Sequence, residues 1–280
     1  MPTEPQNPPK TRSIEAEFRT TAPPARVWEA WADPARIAEW FTDGAEGRPE
    51  VGSTFTWIFD RFGYRIPYQV VASSPGERWS LEWNGPGRPP GIIDVTIARE
   101  SGETVVRLVN SGFLVGAEWD EEYEGMRSGW QMAMAVLKEY VERYWARSKR
   151  VALVMRPAGF AYEELRAYFA APELLARWLT RSGSIGMVGD DCRLVLRQGD
   201  AVTGRVIAST KTEAAVTWSE VDAVLELKAF AMGPGQRGIC LRAISWSRAP
   251  EWVAETERWM TDALDRLAAE LAKKSVAGVP

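Results

Sequence analysis

The sequence contains no histidine among its 280 residues. Serine–histidine and cysteine–histidine catalysis in their usual forms are therefore excluded, as are histidine metal sites. The two cysteines, Cys192 and Cys240, are too few for a structural zinc site, which needs about four ligands. We expect both thiols to be reduced and buried, with a disulfide as the alternative. We predict no metal, no cofactor and no catalytic residue, and we leave enzymatic activity open.

Long hydrophobic runs and a strong charge of one sign are also missing. No apolar run approaches the ~18 residues that span a bilayer, and the N-terminal MPTEPQNPPKTR has no hydrophobic signal region. The 34 basic and 38 acidic residues give a net charge of −4 and form no basic stripe for a phosphate backbone. We therefore predict a cytoplasmic protein with no membrane span and no nucleic-acid partner. Residues 1–12 read as a disordered tail.

The chain contains two copies of one pattern. The segments RVWEAWADPARIAEWF (26–41) and ELRAYFAAPELLARWL (164–179) align when Pro34 is set on Pro172, which places Trp40 on Trp178. Two looser resemblances follow, SLEWNG (80–85) with VTWSEV (216–221) and TVVRLVN (104–110) with GICLRAI (238–244). A repeat of this length indicates domain duplication. We predict one domain over 13–147 and a degenerate copy over 151–275.

Each copy follows the same order of elements. In the first, a strand over 13–19 precedes two short helices, the second capped by Asp33 with Pro34 at its first position. Five strand-like runs come next, and the alternation of apolar and polar residues supports them. Pro67 predicts an edge or a bulge in its strand. The runs are STFTWIFD, YRIPYQVVA, RWSLEWN, GIIDVTIA and ETVVRLVN.

A helix of about 27 residues, opened by Trp119 and capped by Asp120, ends the first copy. Gly125 and Gly129 lie one turn apart on it and form a flat patch. We expect the sheet or the second domain to approach this patch closely, and room for a ligand is the alternative. Only residues 147–150 separate the copies, so we expect the domains to pack together as an intramolecular pseudo-dimer, compatible with a monomeric chain.

Several segments of the first copy resemble one known family. They are TAPPARVWEAWADPARIAEWF (21–41), PEVGSTF (49–55), SPGERWSLEW (74–83), TVVRLVNSGF (104–113) and EGMRSGWQMAMAVLKEYVE (124–142). Together they resemble the family related to the activator of the heat-shock-protein-90 ATPase, within the START and birch-pollen-allergen-like (SRPBCC) superfamily. Asn110 stands where members often carry a histidine. The second copy keeps AAPELLARWL and has Arg258-Trp259 in place of the glycine–tryptophan of the long helix.

The resemblance implies an α+β fold of two tandem helix-grip domains. Each would be a curved antiparallel sheet wrapped around a long C-terminal helix, with two short helices after the first strand. It also implies a cavity between sheet and helix. In related families such cavities hold lipids, hormones, polyketides or aromatic small molecules, whereas the chaperone-activator branch binds a protein partner.

Aromatic residues concentrate in the first copy, which holds nine of the 14 tryptophans. Because side chains alternate along strands, those on one face can meet the apolar stripe of the long helix, and together they suit an apolar binding site. A solid aromatic core is the alternative. The candidate ligand-binding residues are Phe41, Phe55, Trp57, Phe59, Tyr64, Tyr68, Trp79, Leu81, Trp83, Met126, Trp130 and Met134.

We therefore predict that the first domain binds a hydrophobic or aromatic small molecule and that the second is mainly a structural partner. Two other classes stay open. One is a co-chaperone-like protein binder with a chaperone or other protein partner, and the other is a histidine-free cyclase or hydrolase. The glycine-rich segment 182–190 lacks the ending of a phosphate-binding loop, so we expect a flexible connection there.

Overall fold

The computed structural model describes residues 9–86, 88–160, 162–233 and 236–277. The chain divides into two compact units, each built around its own seven-stranded sheet. The predicted α+β class and the tandem helix-grip arrangement are confirmed, because the two sheets share one topology and a long helix follows each.

The first sheet has the strand order β1-β7-β6-β5-β4-β3-β2, with antiparallel neighbours throughout. Its first strand begins at Thr11, inside the predicted tail. Residues 1–8 of that tail lie outside the described residues. The strands are β1 (Thr11–Thr20), β2 (Gly44–Gly47), β3 (Thr54–Phe59), β4 (Tyr64–Ser74), β5 (Arg78–Trp83), β6 (Gly91–Glu100) and β7 (Glu103–Leu114).

Two short helices, α1 (Pro24–Ala32) and α2 (Pro34–Ala38), follow β1 as predicted. The side chain of Asp33 accepts hydrogen bonds from the backbone N–H groups of Ala35 (2.7 Å) and Arg36 (3.3 Å). This cap satisfies two of the donors that a helix leaves free at its start. The predicted role of Asp33 is therefore confirmed.

The long helix α3 (Asp120–Arg143) runs beside β1 in the same chain direction. Near its start the Tyr123 hydroxyl donates to the Ser13 carbonyl (3.0 Å), and farther along the Lys138 ammonium donates to the Arg19 carbonyl (2.7 Å). Both acceptors belong to the outermost strand of the sheet. The helix thus satisfies backbone groups that an open sheet edge would otherwise expose. The central part of α3, residues 128–136, is grouped with the second unit.

Two predictions about α3 are wrong. Trp119 occupies the N-cap without a side-chain hydrogen bond, and Asp120 forms an ion pair with Arg12 instead (2.6 Å). At Gly125 and Gly129, no described atom lies within 4 Å of the position that a Cβ would occupy. These glycines are therefore not sites of close approach within the described part of the chain.

The sheet also corrects two predictions about strands. Strand β2 was not predicted because its sequence, GAEG, has no apolar alternation. Strand β4 is interior rather than an edge, and its bulge lies between Val70 and Ala72 rather than at Pro67. However, residues 64–68 pair only with β3, because β5 pairs with residues 69–74. The proline, which has no N–H to donate, therefore lies where the strand has one neighbour.

The second unit repeats this plan with the strand order β8-β14-β13-β12-β11-β10-β9. Its elements are β8 (Arg150–Pro157), α4 (Tyr162–Ala170), α5 (Pro172–Trp178), β9 (Thr180–Ser182), β10 (Asp191–Leu196), β11 (Ala201–Ser209), β12 (Glu213–Trp218), β13 (Ala223–Gly233), β14 (Gln236–Ser245) and α6 (Glu251–Ala277). Residues 183–190 connect β9 to β10 and are not followed by a helix, which confirms the prediction of a connecting segment.

The same hydrogen bond recurs in both copies of the helix pair. The Trp40 indole donates to the Ala30 carbonyl (2.8 Å), and the Trp178 indole donates to the Tyr168 carbonyl (2.9 Å). Donor and acceptor are each displaced by 138 residues between the copies, since 178 − 40 and 168 − 30 are equal. The predicted alignment of this segment is therefore confirmed.

The looser alignment near the end of each sheet is wrong by one residue. Ile14 pairs with Asn110 in the first unit, and Ala152, the counterpart of Ile14, pairs with Ala243 in the second. Asn110 therefore corresponds to Ala243 rather than to Ile244. Because side chains alternate along a strand, an error of one residue exchanges the two faces of the sheet.

Candidate functional site

One face of the first sheet carries largely apolar side chains, and we call it the inner face. Its members follow from the strand pairing, since residues directly opposite each other share a face. Most are buried, although Ala16 and Phe18 on β1 are only partly so. The inner face includes Ile14, Ala16, Phe18, Phe55, Trp57, Phe59, Tyr64, Ile66, Tyr68, Val70, Trp79, Leu81, Trp83, Ile93, Val95, Ile97, Val106, Leu108 and Asn110.

Four rings on the inner face form what we call the aromatic wall: Phe55, Trp57, Tyr68 and Trp79. Phe55 packs edge-on against Trp79 with ring centroids 5.2 Å apart, and Trp57 lies 4.7 Å from Tyr68. All four side chains are buried, as is the neighbouring Leu81. The structure therefore brings together five of the predicted site residues.

A line of aromatic contacts continues from the wall to the surface. Phe41, in the segment after α2, lies 5.1 Å from Trp57 and 5.8 Å from Phe59. Phe59 in turn lies 5.1 Å from Tyr64, whose ring is 6.0 Å from Phe62. Tyr64 and Phe62 are 47% and 46% exposed. Phe62 was not predicted, because it lies in the turn after β3 and outside the alternating pattern.

The remaining predicted residues are not gathered in this way. Trp83 is partly buried at the end of β5, where its ring covers Gly85 so closely that a Cβ there would lie 1.9 Å away. Met126 is 41% exposed, so the structure does not place it among the buried candidates. Trp130 and Met134 are buried in the central part of α3.

Two polar groups on the inner face were not among the predicted site features, namely the Trp79 indole N–H and the Asn110 side chain. The indole N–H of Trp79 is buried and has no hydrogen-bond acceptor among the described residues. Asn110 is 7% exposed, lies between Ile14 and Ile93 in the sheet, and donates from Nδ2 to the Ile92 carbonyl (3.1 Å). Only the strand pairing and the hydrogen bonds could reveal these groups, because neither changes the apolar alternation.

The tyrosines near the inner face stay protonated near neutral pH. Burial raises the pKa of Tyr68 well above its usual range. Burial and a hydrogen bond donated to the Glu39 carboxylate do the same for the pKa of Tyr140. That carboxylate also accepts from Arg36 at 3.0 Å, so Tyr140 ties the end of α3 to α2. This arrangement holds the Glu39 carboxylate between α2 and α3.

Most charged side chains of the first sheet lie on its other face. Arg107 pairs there with Glu17 (2.7 Å) and Glu100 (2.9 Å). Asp94 pairs with Arg78 at 2.8 Å. The inner-face positions of β3, β4 and β5, which carry the aromatic wall, contain no Asp, Glu, Lys or Arg. Arg99 shares this face at the end of β6 and is exposed, and Arg12 of β1 pairs with Asp120.

The second unit lacks the aromatic wall. Its register matches that of the first unit through a shared bulge, which lies between Val70 and Ala72 in β4 and between Val206 and Ala208 in β11. The positions that correspond to Phe55, Trp57, Tyr68 and Trp79 are Cys192, Leu194, Gly204 and Ala214. Smaller residues thus replace all four rings.

A buried ion-pair network occupies the opposite face of the second sheet. Glu226 is fully buried and accepts two hydrogen bonds from Arg242 (2.8 and 2.7 Å). Lys228 lies 3.4 Å from Glu213 and 3.7 Å from Glu226. Burial acts to raise the pKa of Glu226, but Arg242 and Lys228 outweigh it and hold that pKa below its usual value. The network balances two acids with two bases, and the described residues contain no cluster suited to a metal ion.

Comparison with known proteins places the first unit in a family. Residues 21–142 match the family described as activator of Hsp90 ATPase homolog 1-like protein. This part of the chain belongs to that family. The match to the family includes α1, α2, β2–β7 and most of α3, and so it contains the whole aromatic wall. No curated protein matches the chain.

Solved structures of similar proteins include CalU16 from Micromonospora echinospora, which is 25% identical with a TM-score of 0.39 and aligns over 47% of this chain and 74% of its own. DynU16, described as a putative protein in the dynemicin biosynthetic locus, is 18% identical with a TM-score of 0.41. It aligns over 94% of this chain and 98% of its own. The Aha1 dimer from Colwellia psychrerythraea is 19% identical with a TM-score of 0.41. It aligns over 47% of this chain and 97% of its own.

Within the described part of the chain, no helix has the length and apolar character needed to cross a membrane.

Proposed function

We propose that the first unit binds a hydrophobic or aromatic small molecule at its aromatic wall, and that the second unit is mainly a structural partner. The observation that carries this proposal is the contrast between the two sheets. Four rings stand on the inner face of the first, and cysteine, leucine, glycine and alanine stand at the matching positions of the second.

The second unit indicates what the fold itself requires. Its buried cluster is mainly aliphatic on the sheet, with Leu194 and Val216 fully buried. A two-layer core of this topology can therefore be closed without an aromatic wall. Each large ring offers roughly 150–250 Å² of contact area. An excess of flat, apolar area beyond the need of the core is typical of a ligand site.

Native mass spectrometry of the freshly purified full chain tests whether it carries a molecule. Organic extraction after denaturation then identifies the chemical class of any bound compound. A discrete additional mass that disappears on denaturation supports the proposal.

Titration with the neutral dye Nile red tests the location. We expect saturable fluorescence with the wild type and at least about tenfold weaker binding by Trp57→Leu, which removes ring contact area and reproduces the leucine of the second unit. Trp259→Leu is the matched control, because Trp259 packs against the core of the second unit. Equal weakening by both variants, or no saturable binding, would refute a site at the wall.

Protein binding is a second candidate function, and the exposed rings of Phe62 and Tyr64 favour it. These rings lie where the β3–β4 hairpin extends beyond β5. We expect a protein partner to bury them, since aromatic residues are enriched at interfaces. Acceleration of an Hsp90 ATPase by the wild type, lost in Phe62→Ser/Tyr64→Ser, would favour this function. Equal ATPase rates with and without the protein would count against a chaperone partner.

A further inference from the structure

We infer that the molecule bound by the first unit is uncharged and presents an oxygen acceptor to the indole N–H of Trp79. This inference rests on the proposed function and deepens it, because it names the chemistry of the ligand. It depends on three observations: a buried donor, the backbone acceptors of three other buried indoles, and the neutrality of the inner face around the aromatic wall.

The buried indole N–H of Trp79 is the donor for which we expect an acceptor on the ligand. Its side chain is fully buried, stands on the inner face beside Phe55, and has no acceptor for Nε1 among the described residues. A buried donor without a partner loses its hydrogen bond to water, and folded proteins pair the great majority of such groups. A bound molecule with an acceptor at this position would restore the lost interaction.

Three other buried tryptophans of the chain donate their indole N–H groups to backbone carbonyls. Trp40 and Trp178 donate to carbonyls at 2.8 and 2.9 Å, and Trp218 donates to the Ala201 carbonyl at 2.8 Å. In the second unit, alanine stands at the position that matches Trp79, so the Trp79 donor has no counterpart there.

The neutrality of the inner face around the aromatic wall determines the charge of the ligand. The inner-face positions of β3, β4 and β5, which hold the four rings, carry no charged side chain. A carboxylate or an ammonium group that bound there would lose its hydration without gaining an ionic partner. A neutral carbonyl, ether or hydroxyl oxygen accepts from an indole without that penalty.

Three naphthalenes of similar shape separate these requirements. The probe 2-acetylnaphthalene is neutral and has a carbonyl acceptor, 2-isopropenylnaphthalene replaces the oxygen with a methylene group, and 2-naphthoate is an anion. Equilibrium dialysis against the full chain at pH 7.5 gives each dissociation constant. We expect the ketone to bind about tenfold more tightly than the alkene, which corresponds to about 1.4 kcal/mol, and the naphthoate to bind at least about tenfold more weakly than the ketone.

The variant Trp79→Phe tests whether the indole N–H is the donor. It keeps an aromatic ring and removes the N–H, so we expect the ketone to lose its advantage over the alkene. Trp259→Phe carries the same substitution in the second unit and should keep the advantage. If Trp79→Phe does not fold, indole ¹H–¹⁵N spectra of the wild type replace it, and one indole signal should then shift with the ketone and not with the alkene.

Each outcome decides the inference. Equal binding of ketone and alkene overturns the acceptor requirement while the proposed function stands. Tightest binding of the naphthoate overturns the neutrality of the ligand. Retention of the ketone preference by Trp79→Phe shows that another group is the donor. If no probe binds, the proposed function fails for aromatic compounds, and the inference fails with it.

Discussion

Burial controls the chemistry of the two cysteines. Cys192 and Cys240 are free and buried, as predicted. Burial raises the pKa of Cys192 to about 11 and that of Cys240 to about 12. Because the thiolate is the reactive form, these thiols should be inert near neutral pH, where the unfolded chain would already react.

Alkylation rates measure this effect. At pH 8.5 we expect iodoacetamide to modify the native protein roughly 100-fold more slowly than the protein in guanidinium chloride, because a free thiol titrates near 8.5. The native rate should rise about tenfold per pH unit and level off near the raised pKa values, provided that the protein stays folded. Mass spectrometry locates the modified cysteine. Comparable native and denatured rates at pH 8.5 would contradict the burial of these thiols.

The helix caps of the two units differ by a single side chain. Asp33 caps α2, whereas its counterpart Ala171 begins α5 without a side-chain hydrogen bond. We expect Asp33→Ala to lower the free energy of unfolding by about 1 kcal/mol and Ala171→Asp to raise it by a comparable amount. Denaturant titrations of both variants measure the change. The prediction fails if the two substitutions act in the same direction.

At the scale of elements, the glycines of α3 weaken that helix without a steric reason among the described residues. A Cβ at Gly125 or Gly129 would meet no described atom within 4 Å. We expect Gly125→Ala and Gly129→Ala each to raise the free energy of unfolding by about 0.5–1 kcal/mol, since alanine restricts the unfolded chain. Gly85→Ala is the opposite control, because its Cβ would lie 1.9 Å from the Trp83 ring. Destabilisation by the α3 variants would indicate a contact at these glycines.

The ion-pair network of the second sheet predicts a different response. Arg242→Leu would leave the fully buried Glu226 without its main partner. We expect a loss of about 3–5 kcal/mol in the free energy of unfolding, since an uncompensated buried charge is strongly destabilising. The double variant Glu226→Leu/Arg242→Leu should recover most of that loss. Equal destabilisation by the single and double variants would show that shape rather than charge dominates at this position.

The elements themselves were largely readable from the sequence. Asp33-Pro34 and the apolar stripes predicted the helices, and alternation predicted the strands. The short strand Gly44–Gly47 was not predicted, because its four small and polar residues show no alternation of apolar and polar side chains. The prediction of an edge strand from Pro67 was wrong, because the missing N–H matters only where strands pair on both sides of the proline. Which residues pair on both sides depends on the lengths of the neighbouring strands, and the sequence does not state those lengths.

The candidate site was readable only in part. Alternation placed Phe55, Trp57 and Trp79 on one face, and the structure gathers them. Helical spacing also placed Met126 with them, but this residue lies in an exposed part of the helix. The unsatisfied Trp79 N–H depends on the positions of every neighbouring carbonyl, so no sequence pattern could indicate it.

At the scale of the whole molecule, the two copies share one topology and differ in the aromatic wall. Both units retain the strand order, the helix pair, the indole hydrogen bond and the bulge before the fifth strand. These shared features maintain the fold. The aromatic wall is retained in one copy only, which is what we expect when one copy keeps a binding role and the other a structural one.

This asymmetry predicts one binding site per chain. We expect native mass spectrometry of the protein saturated with 2-acetylnaphthalene to show a single added ligand, because the second unit has leucine and alanine where Trp57 and Trp79 stand in the first. Trp57→Leu should abolish the ligand-bound peak at the same concentration, whereas Leu194→Trp should not add a second one. A ring inserted at Leu194 would overpack a fully buried position, at a cost of about 1–3 kcal/mol in folding free energy. Two equivalents bound to the wild type would show that the small residues of the second sheet also leave room for a ligand, and the two units would then share the function.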